Sequence, residues 1–281
     1  MMIKERPILV LGGTGKAGRR VVSRLRSRGH EVRVASRQGD GPARFDWTDE
    51  NTWEPVLEGV GAAYLIDSQR DDAATSMRAF GKLAAAGGVE RLVLLSHRDW
   101  LASAGEEKLP CERAVRESGA EWTILKPAWF MQNFSEEGFF RGQLLEGEVV
   151  LPTGDGVEPF VDLDDVADVA VAALTEAGHA GEAYELSGPR LLSLGALSRE
   201  IGGATGRDIA YRPVSPADFT RYATGRGLPE EVAEMLSLLL GWIGEGHFAH
   251  LSDGVRRALG REPRDFADFV ARTAVTGVWH G

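Results

Sequence analysis

The stretch from Pro7 to Gly18 constrains this chain more than any other. The apolar run Pro7-Ile8-Leu9-Val10-Leu11 breaks directly into Gly12-Gly13-Thr14-Gly15-Lys16-Ala17-Gly18, and a helix-like segment, Arg19 to Leu25, begins at once. Glycines let a backbone turn tightly and approach a ligand closely. The free amides and positive end of the next helix face an anion. A dinucleotide pyrophosphate is the ligand that strand, turn and helix in this order suit. The competing reading is a structural glycine turn. Placement at the first strand-to-helix junction favours the nucleotide.

A second apolar strand, Glu31-Val32-Arg33-Val34-Ala35, ends in Ser36-Arg37. An NAD site usually has an acidic residue here, bonding the ribose 2′-hydroxyl, and this chain has none before Asp40. A hydroxyl and a guanidinium suit a 2′-phosphate instead. The reading is therefore NADP(H), with NAD(H) as the alternative and a solvated Arg37 as the bland one.

Strand-like and helix-like segments then alternate. Ala43–Asp46 reads as a short third strand, and Glu50–Leu57 as a helix capped by Thr48 or Asp49. Ala62–Ile66, Arg91–Leu95 and Glu121–Leu125 read as further strands. Asp71–Ala86 reads as a helix with Met77, Phe80, Leu83 and Ala84 facing a core, and Glu106–Ser118 as another, closed by Gly119. Apolar strands between amphipathic helices predict an α/β fold, a Rossmann-like doubly wound parallel sheet. Such sheets bind ligands at the carboxyl ends of their strands. Beyond Pro127 the pattern loosens: Gly147–Gly156 reads as hairpin-like, Phe160–Val166 as leading into a helix through Leu174, and Ala183–Ser187 as a late strand. Helices follow over Leu194–Thr205, Pro216–Gly225, Pro229–Ile243 and Asp265–Thr273. This predicts a nucleotide-binding domain over 1–150, with return segments at about 158–188, and a smaller, mainly helical substrate or cap region over 189–281.

The formal net charge of −10 argues against non-specific nucleic-acid binding. No apolar run is long enough to span a bilayer, and the start lacks a signal-peptide core. Cys111 is the only cysteine, which fits a reducing cytoplasm and reads as packing. Arginine outnumbers lysine, and alanine and glycine abound, which reads as a GC-rich bacterial genome. His247 and His250, beside Glu245, lack a third ligand at a recognised spacing, so no metal site is read. No Gly-x-Ser-x-Gly elbow is present. Among Asp162, Asp164, Asp165 and Asp168, Asp164 reads as a helix cap, with Asp165 and Asp168 near the positive end of the helix.

The ordered pieces resemble the NmrA-like branch of the atypical short-chain dehydrogenase/reductases. They are the glycine turn, Phe45-Asp46-Trp47-Thr48-Asp49, Lys108 followed by Glu112, Ser118 to Pro127, Phe130-Met131-Gln132-Asn133-Phe134, Phe160 to Ala167, Gly181 to Gly188 and Gly206 to Tyr211. The resemblance implies that Gly12, Thr14, Gly15, Lys16, Ala17 and Gly18 line the pyrophosphate, and that Ser36 and Arg37 meet the 2′-phosphate. It implies Asp46 and Trp47 near adenine, and Ile66, Asp67 and Ser68 on the path from adenosine to ribose. Ser96 falls near the nicotinamide, Lys108 at its ribose, and Pro127, Ala128, Trp129 and Phe130 by its ring, with Asn133 fixing that loop.

One departure matters. The wider superfamily carries a tyrosine four residues before the active-site lysine, as the proton relay. Here that position is Ala104. Three readings stay open. The first is a reductase of quinone- or enone-like aromatic small molecules, with water, Ser96, His97 or Lys108 supplying the proton and Trp100, Trp129, Phe130, Phe134, Phe139 and Phe140 as a flat apolar pocket. The second is a non-catalytic NADP(H) redox sensor that regulates a protein partner. The third is an auxiliary protein of bacterial secondary-metabolite biosynthesis. Apolar residues from Leu236 to Trp242 suit a pocket cover or a homodimer contact.

Overall fold

The computed structural model describes residues 6–98, 109–136 and 138–280. The chain divides into two compact units. The first holds Met1–Pro127, Leu163–Leu186 and Asp253–Arg261, and the second Ala128–Asp162, Ser187–Ser252 and Glu262–Gly281.

Six strands build the first unit: β1 (Ile8–Leu11), β2 (Val32–Ala35), β3 (Ala62–Ile66), β4 (Arg91–Leu95), β5 (Glu121–Pro127) and, by return, β8 (Glu182–Leu186). They form one sheet in the order β2-β1-β3-β4-β5-β8, every pair parallel. Parallel pairing needs crossovers, and the helices supply them. α1 (Lys16–Ser27), α6 (Leu163–Thr175) and α10 (Gly254–Leu259) pack on one face, and α2 (Trp53–Leu57), α3 (Ala73–Ala86) and α4 (Pro110–Arg116) on the other. This is the doubly wound α/β fold expected from the sequence.

Register aligns the core in rows. Leu9 pairs with Ala63, Ala63 with Leu92 and Leu92 with Trp122, while Leu65 meets Leu94 and Leu94 meets Ile124. These side chains enter one cluster with Met77, Phe80 and Ala84 of α3. Their alternation along each strand follows from the two-residue period of the pleat.

On the α1 face, Arg24 bonds Asp164 at 2.9 Å and Asp168 at 2.6 Å, and Arg261 reaches Asp165 and Asp168. Asp164 lies in the first turn of α6 rather than at its cap. Its carboxylate is drawn to Arg20 and Arg24.

Two expectations for this unit change. Ala43–Asp46 is no strand: a single parallel bridge, Ser36 to Arg44, remains beside β2. The turn Gly39-Asp40-Gly41 is so tight that a Cβ on Gly39 would stand 1.9 Å from the Ala43 carbonyl oxygen, and a 3-10 turn fills Gly41–Ala43. Phe45 then turns inward onto Trp47 and Phe80. The helix expected over 50–57 splits into a 3-10 turn, Glu50–Thr52, and α2, and Asp49 stands at the cap without a side-chain bond to a helix amide. Of the helix expected over 106–118, Glu106 to Lys108 lie outside the described residues, and Pro110 opens α4.

The second unit is mainly helical, with α5 (Phe139–Glu146), α7 (Leu194–Thr205), α8 (Pro216–Gly225), α9 (Glu230–Gly244) and α11 (Phe266–Ala274). Ser193 and Ser215 cap α7 and α8, accepting from the Ala196 and Asp218 amides. The hairpin expected over 147–156 is absent. β6 (Glu148–Leu151) instead pairs in parallel with β10 (Ala210–Pro213), and β7 (Val157–Glu158) pairs antiparallel with β9 (Leu192–Ser193). Arg190 clamps Glu200 and Asp265, and the buried Trp279 indole donates to the Phe134 carbonyl at 2.6 Å.

Candidate functional site

At the carboxyl end of β1 the chain makes the expected tight turn. The Gly12 amide donates to the Ala35 carbonyl at 3.1 Å, and the Gly15 amide folds back to the Gly12 carbonyl at 2.9 Å. Gly12 has φ +63°, a conformation that favours glycine. A Cβ on Gly18 would stand 2.3 Å from the Gly12 carbonyl oxygen, so this glycine lets α1 press against the turn. Gly15 is the N-cap of α1, with no side-chain cap bond and no acidic residue in the first turn. The first amides of α1 thus have no intrahelical acceptors. This bare, positive backbone fits a pyrophosphate. It lies where the strand order reverses, with β2 on one side of β1 and β3 on the other.

On the β2 side stand Ser36, Arg37, Asp46 and Trp47. Arg37 is exposed, and its charge reaches Asp46. The Thr48 amide and hydroxyl both donate to the Asp46 carboxylate, at 2.9 and 2.8 Å, and hold its pKa below the usual carboxylate value, helped by Arg37 and Arg44. Trp47 is half-buried, edge-on to Phe45, Trp53 and Phe80.

On the β3 side, Ile66 ends its strand and Asp67 accepts from the Gln69 amide at 3.1 Å. Gln69 has φ +54° and is the one left-handed non-glycine among the described residues. Ser68 Oγ is buried with no hydrogen-bond partner among them. A cavity of about 180 Å³ lies here, its wall including Asp67, Gln69, Ser96, His97, Cys111 and Glu112. His97 is exposed, with Nδ1 3.2 Å from the Arg98 carbonyl oxygen. Burial pushes the Cys111 thiol up to about 11, with help from the Asp67 and Glu112 charges. Ser96 Oγ donates to Glu112 Oε1 at 2.8 Å. Glu112 is 1% exposed and is paired with Arg116 at 3.2 Å and Lys126 at 3.8 Å. Sequence reasoning gave Glu112 no role and passed over Gln69, because neither the ion cluster nor the left-handed turn leaves a local signal.

Pro127 closes β5 in the first unit. Ala128, Trp129 and Phe130 open the second, where the Trp129 amide donates to Glu158 at 3.2 Å and Phe130 bridges to Val161. Trp129 lies edge-on to Phe140, which in turn touches Phe134 and Phe139. The Asn133 amide donates to the Phe130 carbonyl. Lys108, Trp100 and Ala104 lie outside the described residues. The four tyrosines stand elsewhere in the chain. Tyr64 is buried in β3, Tyr184 bonds His179, Tyr211 bonds Thr153, and Tyr222 packs beside Phe139. Among the described residues no three His, Cys, Asp or Glu side chains group as metal ligands, and no helix is long and apolar enough to cross a membrane.

Residues 12–177 match the NAD(P)H-binding family. The chain belongs to that family. This NAD(P)H-binding chain is 34% identical to the uncharacterized oxidoreductase YesF of Bacillus subtilis (strain 168), over 99% of each chain. It is 29% identical to the NAD(P)H azoreductase of Xenophilus azovorans, over 93% of this chain and 96% of that one. Among solved structures, Citrobacter sp. triphenylmethane reductase complexed with NADP(H) superposes with a TM-score of 0.77 at 21% identity, covering 95% of this chain and 99% of that one. That likeness carries the fold. The atypical short-chain reductase reading agrees with these findings, and so do the expectations of an NADP(H) cofactor and of an NAD(P)H-dependent oxidoreductase.

Proposed function

We propose that this oxidoreductase uses NADPH to reduce flat, conjugated acceptors of the quinone, enone or azo class. The observation that carries the reading is the bare glycine cradle at the reversal of the sheet, with Ser36 and Arg37 on its β2 side. Bound there, NADPH supplies a hydride to an electron-poor carbon or nitrogen.

The chain's own residues divide the remaining work. Gly12, Thr14, Gly15, Lys16, Ala17 and Gly18 hold the pyrophosphate, and Arg37 with Ser36 takes the 2′-phosphate. Asp46 and Trp47 border the adenine, and Ile66, Asp67 and Ser68 border the ribose path. Lys108 takes the nicotinamide ribose, while Pro127 and Ala128 pack by the ring. The second unit serves as the substrate region, with the half-buried Trp129 and Phe130 offering aromatic faces to a flat acceptor. Conjugated acceptors suit a site without a tyrosine relay. Their charge spreads as they take the hydride, so water or His97 suffices as the proton source and positioning supplies much of the rate. The azoreductase relative supports an acceptor of this kind.

The experiment is NADPH fluorescence titration followed by NADPH oxidation with a panel of quinones, enones and azo dyes. Oxidation that saturates with one of them supports the proposal. Tight binding with no oxidation by any of them overturns it in favour of a redox sensor.

A further inference from the structure

The Ser96 hydroxyl stands just past the end of β4, on the wall of the 180 Å³ cavity, and its proton is already committed. Oγ donates to Glu112 Oε1 at 2.8 Å. A carboxylate as buried as Glu112 keeps its charge only when cations and donors satisfy it. Arg116 does so from the next turn of α4, at 3.2 Å from Oε2, and Lys126 does so from β5, at 3.8 Å from Oε1. An ionised carboxylate has no proton to return. The single Ser96 proton therefore points inward, and among the described residues no donor takes the lone pairs of its oxygen, which are left to the cavity.

The place in the sheet says what those lone pairs meet. Arg37, the candidate for the 2′-phosphate, follows β2, on one side of the glycine turn. Ser96 follows β4, two strand spacings to the other side, or about 10 Å. A dinucleotide whose pyrophosphate sits on the turn and whose adenosine half runs toward β2 carries its nicotinamide half toward β4.

We propose that Glu112 is a positioning residue that fixes Ser96 as a hydrogen-bond acceptor for an N–H or O–H donor on the nicotinamide half of NADPH. The proposal rests on NADPH lying along the carboxyl edge of the sheet. It also removes Ser96 from the candidate proton donors, since its hydrogen lies on the Glu112 side.

The test measures binding alone, so it is decided even for a protein that reduces no quinone. NADPH and 2′,5′-ADP, which lacks the nicotinamide half, are titrated calorimetrically into the wild type and into Ser96→Ala, Glu112→Gln, Glu112→Asp and the double variants. In Glu112→Gln the amide oxygen takes the Oε2 place beside Arg116, and the NH₂ takes the Oε1 place, where it donates to Ser96 and reverses the hydroxyl. Glu112→Asp keeps the charge but withdraws it from Ser96 by one methylene, and it decides the matter if the glutamine variant does not fold. Each single variant is expected to weaken NADPH about three- to tenfold, with 2′,5′-ADP held within about twofold. In the Ser96→Ala background neither Glu112 change adds more than about twofold. Equal losses for both ligands, a further loss in the Ser96→Ala background, or unchanged NADPH affinity would each overturn the proposal. Failure of 2′,5′-ADP to bind the wild type would count against the 2′-phosphate reading and leave the NADPH comparison to decide the role of Glu112.

Discussion

Gly15→Asp separates folding from binding with opposite signs. Gly15 has φ −76° and ψ 175°, an extended conformation open to any residue. It is exposed, and a Cβ there meets only the Gly12 carbonyl oxygen, at 3.3 Å. An aspartate is a better N-cap than glycine and adds negative charge at the positive helix end, for a gain of about 0.5–1 kcal/mol. The same carboxylate takes the amides that a pyrophosphate needs. At about 5 Å from a phosphate charge, with an effective dielectric near 20, it costs about 3 kcal/mol, or more than about a hundredfold in affinity. Without nucleotide, the melting temperature should hold or rise by about 2 °C. Calorimetric titration should then show NADPH binding lost. Gly15→Ala, which adds the carbon without the charge, should keep affinity within about threefold of the wild type. If Gly15→Asp kept wild-type NADPH affinity, the phosphate would not rest on this turn. A collapse in stability would show that the Gly12 carbonyl, 3.3 Å from the new Cβ, does not give way.

Arg37→Ala should weaken NADPH about ten- to a hundredfold and NADH less than about twofold, as expected for lost charge-assisted bonds to a 2′-phosphate. Equal losses would move Arg37 off that group. Asp265 caps α11 through the Ala267 amide and receives Arg190, whose hydrogen bonds hold its carboxyl below the usual range. A depressed folded pKa means that this stabilisation is complete above about pH 4–5 and fades as the pH falls through the folded value. Asp265→Asn should therefore cost about 1–2 kcal/mol at pH 7, with the gap in melting temperature closing toward pH 3. A gap independent of pH would assign the loss to packing. The Cys111 thiol, pushed up to about 11 from 9.0, should react with a disulfide reagent at pH 8 about a hundredfold more slowly in the folded than in the unfolded protein. Equal rates would contradict its burial.

Local chemistry made much of the fold legible. The glycine turn, the parallel strands and their crossover helices all announce themselves within a few residues. The bounds of α7 and α8 follow from Ser193, Ser215 and Pro216, which start helices by capping and by fixed φ. What escaped depends on distant partners. β6 is a strand because residues 210–213 come to lie beside it, which nothing in Glu148–Leu151 foretells. α5 has apolar residues that make no single stripe, and its helix is held by aromatic neighbours such as Phe134 and Phe219. The expected strand at 43–46 failed because its neighbouring turn consumed the residues it needed. At the site, Ser96 was readable from its place after a strand. The inward aim of its proton was not, because Glu112, Arg116 and Lys126 converge only in three dimensions.

The passage of the chain between its two units has a consequence for synthesis. β8 completes the edge of β5, and α10 packs so closely on β8 that a Cβ on Gly254 would lie 2.1 Å from the Glu185 carbonyl oxygen. The unit whose sheet begins at Ile8 is thus finished only when residues 253–261 are available. At ribosomal rates that interval is about ten to fifty seconds. Throughout it the apolar strands of a nascent chain wait for their last cover.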